Sequence, residues 1–161
     1  METHKDISVG PIIAGVLLIV IAVVVFIILP NMLQPTTSLR LGDGVFRARI
    51  AANETDRTKG LSGVTNLNPD QAFLIAFPYE GKWQIWMKDM KVPIDIVWLD
   101  KDKKVIYIVK NAQPDDATTT KVFEPKTLAK YVVELSAGSV DSRAIKTTDT
   151  AIFQINAGDI K

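Results

Sequence analysis

Arg57, Lys88, Asp89, Asp95 and Glu134 are the charged residues whose positions raise a chemical question. The densest stretch of the chain runs Trp86-Met87-Lys88-Asp89-Met90-Lys91-Val92-Pro93-Ile94-Asp95-Ile96-Val97-Trp98-Leu99. On a strand, alternate side chains share a face, so Ile94, Ile96 and Trp98 belong together and Asp95, Val97 and Leu99 lie opposite. A carboxylate on that second face must be paired or hydrogen-bonded, because burying it alone costs several kcal/mol. Arg57 and Lys88 are the candidate partners. Glu134 poses the same question among Tyr131, Val132, Val133 and Leu135. Two readings stay open. In one, Arg57 and Lys88 hold an anionic or sugar-like ligand in a cleft while Asp95 or Glu134 orients it. In the other, these groups form an internal ion-pair network that sets strand register.

Weaker signals surround this cluster. Trp83, Trp86 and Trp98, with Tyr79, are candidate stacking aromatics for sugars or peptides. Trp83 and Trp86 are three apart, so on one strand they face opposite sides and at least one belongs to the core. Asp100-Lys101-Asp102 begins like a calcium loop, but Lys104 stands where an oxygen ligand belongs, and a solvated turn is expected. Asp115 or Asp116 offers a hard-cation ligand without a defined set. Asn53-Glu54-Thr55 matches a glycosylation acceptor. Ser62 or Ser136 with Lys88 would make a Ser-Lys nucleophile, although no flanking motif supports it.

Composition narrows the field. The 161 residues include 19 Lys+Arg against 18 Asp+Glu, a net charge of +1, so no basic field for nucleic acid is present. Cysteine is absent and the single histidine is His4. Thiol nucleophiles, Ser-His-Asp triads in the C-terminal part and Cys- or His-ligated metals are excluded, and no metal or cofactor is expected.

The elements that must position the cluster fall into two parts. No charged residue occurs between Asp6 and Arg40, and Ile12 to Leu29 is apolar except at Gly15. Eighteen such residues would span ~27 Å, near the ~30 Å hydrocarbon core. The expected layout is a tail over 1–6, a single transmembrane helix over 7–30, a linker over 31–38 and a globular domain over 39–161. The long apolar run and the lack of a small-x-small cleavage site favour a retained anchor over a cleaved signal. In the domain, short runs rich in Val, Ile, Phe, Tyr and Trp predict strands at Leu39–Leu41, Val45–Ala51, Phe73–Phe77, Trp83–Met87, Ile94–Leu99, Val105–Val109, Tyr131–Leu135 and Ala151–Ile155. Asp43-Gly44 reads as a hairpin turn. One helix is expected near Thr55–Leu61, capped by Thr55, and another around Val140–Lys146. The fold class is mainly β, a compact sandwich or barrel.

The chain also resembles the bacterial and archaeal family termed domain of unknown function 192. The resemblance rests on Arg57-Thr58-Lys59-Gly60-Leu61, the strand Ala72–Phe77, Trp86-Met87-Lys88-Asp89 with Pro93-Ile94-Asp95-Ile96, and Val132-Val133-Glu134-Leu135-Ser136-Ala137-Gly138. Asp89 stands where the family pattern has Asn. The resemblance implies a jelly-roll-like β domain, often behind a signal or anchor, and implies no activity. Together with the residues it leads to a membrane-anchored, extracytoplasmic binding or scaffolding domain for an envelope glycan, peptide or protein partner. The alternative is a carboxylate-dependent envelope glycan hydrolase or lyase. Its paired carboxyls would lie about 5–5.5 Å or about 6.5–9.5 Å apart.

Overall fold

Three strands of mostly apolar sequence, β3 (Gln71–Gly81), β5 (Ile94–Leu99) and β8 (Ala129–Ser136), take the central places in the sheet, with residues buried on both faces. Every residue of β5 is buried. In the computed structural model, which describes residues 10–28, 35–115 and 120–161, these three lie side by side in a six-stranded sheet of order β1-β2-β3-β8-β5-β6. The remaining members are β1 (Thr36–Leu41), β2 (Gly44–Ala51) and β6 (Val105–Ala112). A separate two-stranded ribbon joins β4 (Ile85–Trp86) to β7 (Val122–Phe123).

The sheet is open, with β1 and β6 as its edges, so the expected barrel does not form. It is also mixed. β2 and β3 run parallel, and the other pairs in the sheet are antiparallel. A parallel pair needs a crossover connection. Here the segment between Ala51 and Gln71 makes it, carrying the helix α2 (Glu54–Lys59). This departs from the all-antiparallel jelly roll that the resemblance implies.

Two apolar layers follow from the alternation of side chains. One face carries Leu39, Phe46, Leu74, Val97, Leu99, Val133 and Leu135, packed under Val140, Ile145 and Phe153. The other carries Phe73, Ile75, Phe77, Ile94, Ile96, Trp98 and Val132, packed under Leu61, Ile85, Met87 and Met90. The expected split of Ile94, Ile96 and Trp98 from Val97 and Leu99 is therefore present.

Local differences have local causes. β1 starts at Thr36, so the last residues of the expected linker pair with β2. The first hairpin turns at Gly42-Asp43, with Leu41 opposite Gly44, and Gly42 takes a φ of 54°. A Cβ there would stand 2.3 Å from the Arg143 carbonyl oxygen, which leaves glycine as the residue that fits. Asn53, rather than Thr55, caps α2, and its side-chain oxygen accepts from the Asp56 N–H at 2.9 Å. The second helix is a single turn, α3 (Ser139–Ser142). Of the expected strand 151–155, Ile152 makes a bridge to Arg40. The 83–87 run reduces to β4.

The chain divides into two units, 1–34 and 35–161. In the first, α1 (Gly10–Val23) continues as a π-helical turn over Val24–Ile28. Fourteen α-helical residues extend ~21 Å. Among the described residues, no helix is long and apolar enough to cross a membrane. The tail 1–6, residues 7–9 and 29–30 of the expected span and linker residues 31–34 lie outside the described residues, as does Asp116.

Candidate functional site

The register of the central strands decides which charged residues can meet. Ile96 lies opposite Glu134, and Asp95 lies opposite Leu135. Glu134 therefore shares the face of Phe73, Ile96 and Trp98, and Asp95 shares the face of Val97 and Leu99. The two carboxylates point to opposite sides of one sheet and cannot act on one substrate.

Asp95 is a structural group. It is buried, and its two oxygens accept from the backbone N–H groups of Asn111 and Val140, each at 2.8 Å. These bonds tie β5 to the end of β6, where Asn111 has a φ of 51°, and to the start of α3. The expected pairing of Asp95 with Arg57 or Lys88 does not occur, because the backbone supplies both donors on the far face of the sheet. Arg57 instead donates to the carbonyls of Ala76 (3.1 Å) and Lys161 (2.6 Å), with its guanidinium 5.6 Å from the Phe77 ring. Lys88 is exposed, its ammonium 5.8 Å from the Trp86 ring. Asp89 is exposed, with a φ of 58° that short polar side chains tolerate, and its carbonyl accepts from Gly63.

Like Asp115, whose Oδ2 is buried without a partner, Glu134 departs from good pairing. It is 4% exposed, and its Oε2 is buried with no hydrogen-bond partner. Two strands away lies Arg49: the register sets Arg49 beside Phe73, and Phe73 beside Glu134. The Arg49 guanidinium sits 4.6 Å from the Phe73 ring and donates to the Gly60 carbonyl at 3.1 Å. It forms no ion pair with Glu134. The ion pairs among the described residues are Lys101–Asp102 and Lys110–Asp141. Burial pushes the Glu134 carboxyl up to about 8, and the nearby charge of Arg49 only partly opposes it. Burial likewise lowers Arg49, against the attraction of Asp56 and Glu134. Near neutral pH Glu134 is thus mostly a neutral acid, able to donate one hydrogen bond and accept others.

Glu134 lines a cleft of about 330 Å³. Ile75, Phe77, Ile85, Trp86 and Met90 form apolar walls, and Glu54, Arg57, Lys59 and Gln84 give it a polar rim. The walls come from β3 and β4 and from the loop after β4, and α2 supplies most of the rim. Of the three tryptophans, Trp86 is 48% exposed and lines the cleft. Trp98 is fully buried and donates to the Trp83 carbonyl at 2.9 Å, so it is core. Trp83 stacks on Phe77 with centroids 4.1 Å apart and donates to the Tyr79 carbonyl.

The minor candidates resolve simply. The Ser62 hydroxyl donates to the Lys88 carbonyl, not to its amine, and Ser136 pairs with Ser139, so no Ser-Lys nucleophile is assembled. Asp100 accepts from the backbone N–H groups of Asp102 and Lys104, each at 2.9 Å, as a turn residue does. Asp115 accepts from the Lys121 N–H. Among the described residues, no cluster of three His, Cys, Asp or Glu is placed to hold a metal ion. Arg49, Phe77, Ile85 and Met90 were not singled out from the sequence. Arg49 was findable, since Phe46, Ala48 and Ile50 alternate with it and point to the opposite face.

The fold and the cleft define an open, mixed β-sheet domain with loops packed on both faces and a concave site beside Glu134. Its sequence matches the family of domain of unknown function 192, an uncharacterized conserved family, over residues 37–153, and the chain belongs to that family. None of the curated proteins matches it. The fold is similar to a crystal structure from Sinorhizobium meliloti 1021, described as a candidate transcription regulator, with a TM-score of 0.70 and 22% identity over 74% of this chain and 95% of that one. It is similar too to a protein of unknown function from Novosphingobium aromaticivorans DSM 12444, with a TM-score of 0.67 and 22% identity over 74% of this chain and 84% of that one. At this identity the likeness concerns the fold alone.

Proposed function

We propose that this protein is a tethered binding module, with its β domain outside the cytoplasm and its cleft open to a small envelope ligand or to one group of a larger glycan, peptide or protein partner. The observation that carries the reading is the unpartnered, buried Glu134 oxygen at an apolar cleft. A buried polar atom without a partner costs about 1–3 kcal/mol, and a ligand that supplies the missing bond recovers part of it. Apolar walls with a few converging polar groups are the usual make-up of a small-molecule site. The tether is residues 7–30. Its support is the uncharged sequence around α1 and the exposure of apolar side chains on that helix and the π-helical turn after it, including Leu17, Leu18, Ile19 and Phe26. A helix apolar on every side seeks either a large core or lipid.

The test is Trp86 fluorescence of the full chain in lipid nanodiscs, titrated with a panel of envelope oligosaccharides, short peptides and small organic acids and amines. Saturable quenching by one class, lost in Trp86→Ala and kept in Asp95→Asn, is the expected result. No response across the panel would refute the binding reading.

A further inference from the structure

The cleft's own chemistry narrows its ligand, on the premise that it is the binding site proposed above. Glu134 lines it, and one oxygen of that carboxyl, Oε2, is buried with no hydrogen-bond partner. Its aromatic walls already carry cations of the chain: Arg57 lies over Phe77 and Lys88 over Trp86. Those are the faces to which a ligand cation would bind, and with them taken an incoming ammonium would meet like charge. Arg49, fixed over Phe73, stands on the same face of the sheet two strands from Glu134. We propose that the cleft takes a small organic carboxylate with an apolar body. The body packs against Ile75, Ile85, Trp86 and Met90, and one carboxylate oxygen accepts the proton of the Glu134 carboxyl.

An O–H···O⁻ bond of this kind is among the short, strong ones, and it supplies the partner that Glu134 lacks. The negative charge of the ligand then lies within the field of Arg49, Arg57, Lys59 and Lys88. Glu54, Asp56 and Asp89 oppose that field from the rim and the neighbouring loop. The strands flanking Glu134 add no charge, since they present Phe73, Ile75 and Ile96 on this face. Recognition depends on Glu134 keeping its proton, so binding weakens once that proton is lost, near pH 8.

Three probes of equal size separate the chemistries: phenylacetate, phenylacetamide and phenethylamine, titrated against the full chain in nanodiscs with empty nanodiscs as blank. Phenylacetate is expected to bind at least about tenfold more tightly than phenethylamine, and its affinity to fall up to about tenfold per pH unit above about pH 8. Glu134→Gln keeps an amide donor, and it should bind phenylacetate with a flat pH profile. Glu134→Leu should weaken binding by about tenfold or more with an unchanged circular dichroism spectrum. Tighter binding of phenethylamine that strengthens with pH would overturn the proposal and leave the binding function standing. Equal binding of all three, or binding of a glycan or peptide with no response to any of these probes, would also overturn it. Silence from the whole panel would refute both.

Discussion

Glu134 and Asp95 are both buried carboxylates, and they illustrate how neighbours decide what a residue does. Asp95 has two backbone N–H donors, and Glu134 has none. For Glu134 this makes stability depend on pH in a stated direction. Below its ordinary value of 4.5 both the folded and unfolded chains hold the proton. Between 4.5 and about 8 only the folded chain does, so the unfolded state releases a proton and unfolding becomes easier as pH rises. The loss accrues at up to ~1.4 kcal/mol per pH unit and levels off above about pH 8. Urea unfolding at about pH 5, 7 and 9 should show this decline in the wild type and a flatter line in Glu134→Gln. Parallel lines for the two proteins would mean that Glu134 is ionised and solvated in the folded state.

At the scale of elements, Asp95 is the clasp that holds the end of β6 and the first turn of α3 against β5. An isolated four-residue helix is not stable by itself, so the bond from the Val140 N–H is part of what keeps it in place. Asp95→Asn presents one oxygen and one NH₂ to two N–H donors, leaving one donor unsatisfied in a buried site. The expected cost is roughly 2–4 kcal/mol, read as a lower urea midpoint at unchanged slope. Ligand binding at the cleft should be unaffected in the variant that remains folded, because the sheet lies between the two sites. The elements also show where strand patterns mislead. Trp83–Met87 is as rich in aromatic and branched residues as a strand, yet only Ile85 and Trp86 pair. The rest of that run is busy with side-chain stacking, Trp83 on Phe77, which strand periodicity does not register.

At the scale of the whole molecule, the chain joins an apolar helical segment to a domain with its own core; among the described residues, the buried hydrophobics lie between Leu39 and Phe153. The proposed tether makes a direct prediction. Leu18→Arg places a charge in the middle of α1, at a cost of about 2.5–3.5 kcal/mol for insertion. The wild type should sediment with membranes and resist carbonate extraction, while the variant should move to the supernatant. Recovery of the wild type in the supernatant would remove the tether from the proposed function.

Much of this architecture was legible in residue order. Runs rich in branched and aromatic residues placed β2, β3, β5, β6 and β8, and strand alternation assigned the two faces of β5, because side-chain direction on a strand is a local property. It also marked Asp95 and Glu134 as buried carboxylates needing an explanation. What residue order left open was every relation that depends on pairing between distant strands. Where a sandwich or barrel was expected, the strands form an open sheet made mixed by the parallel β2–β3 pair, and the β5–β8 register put Asp95 and Glu134 on opposite faces. The partners of Asp95 are backbone groups that every residue carries, so no side-chain pattern could announce them. The cleft itself exists because α2, β4 and the loop after β4 settle on one face around Glu134, and that enclosure is a property of tertiary packing alone.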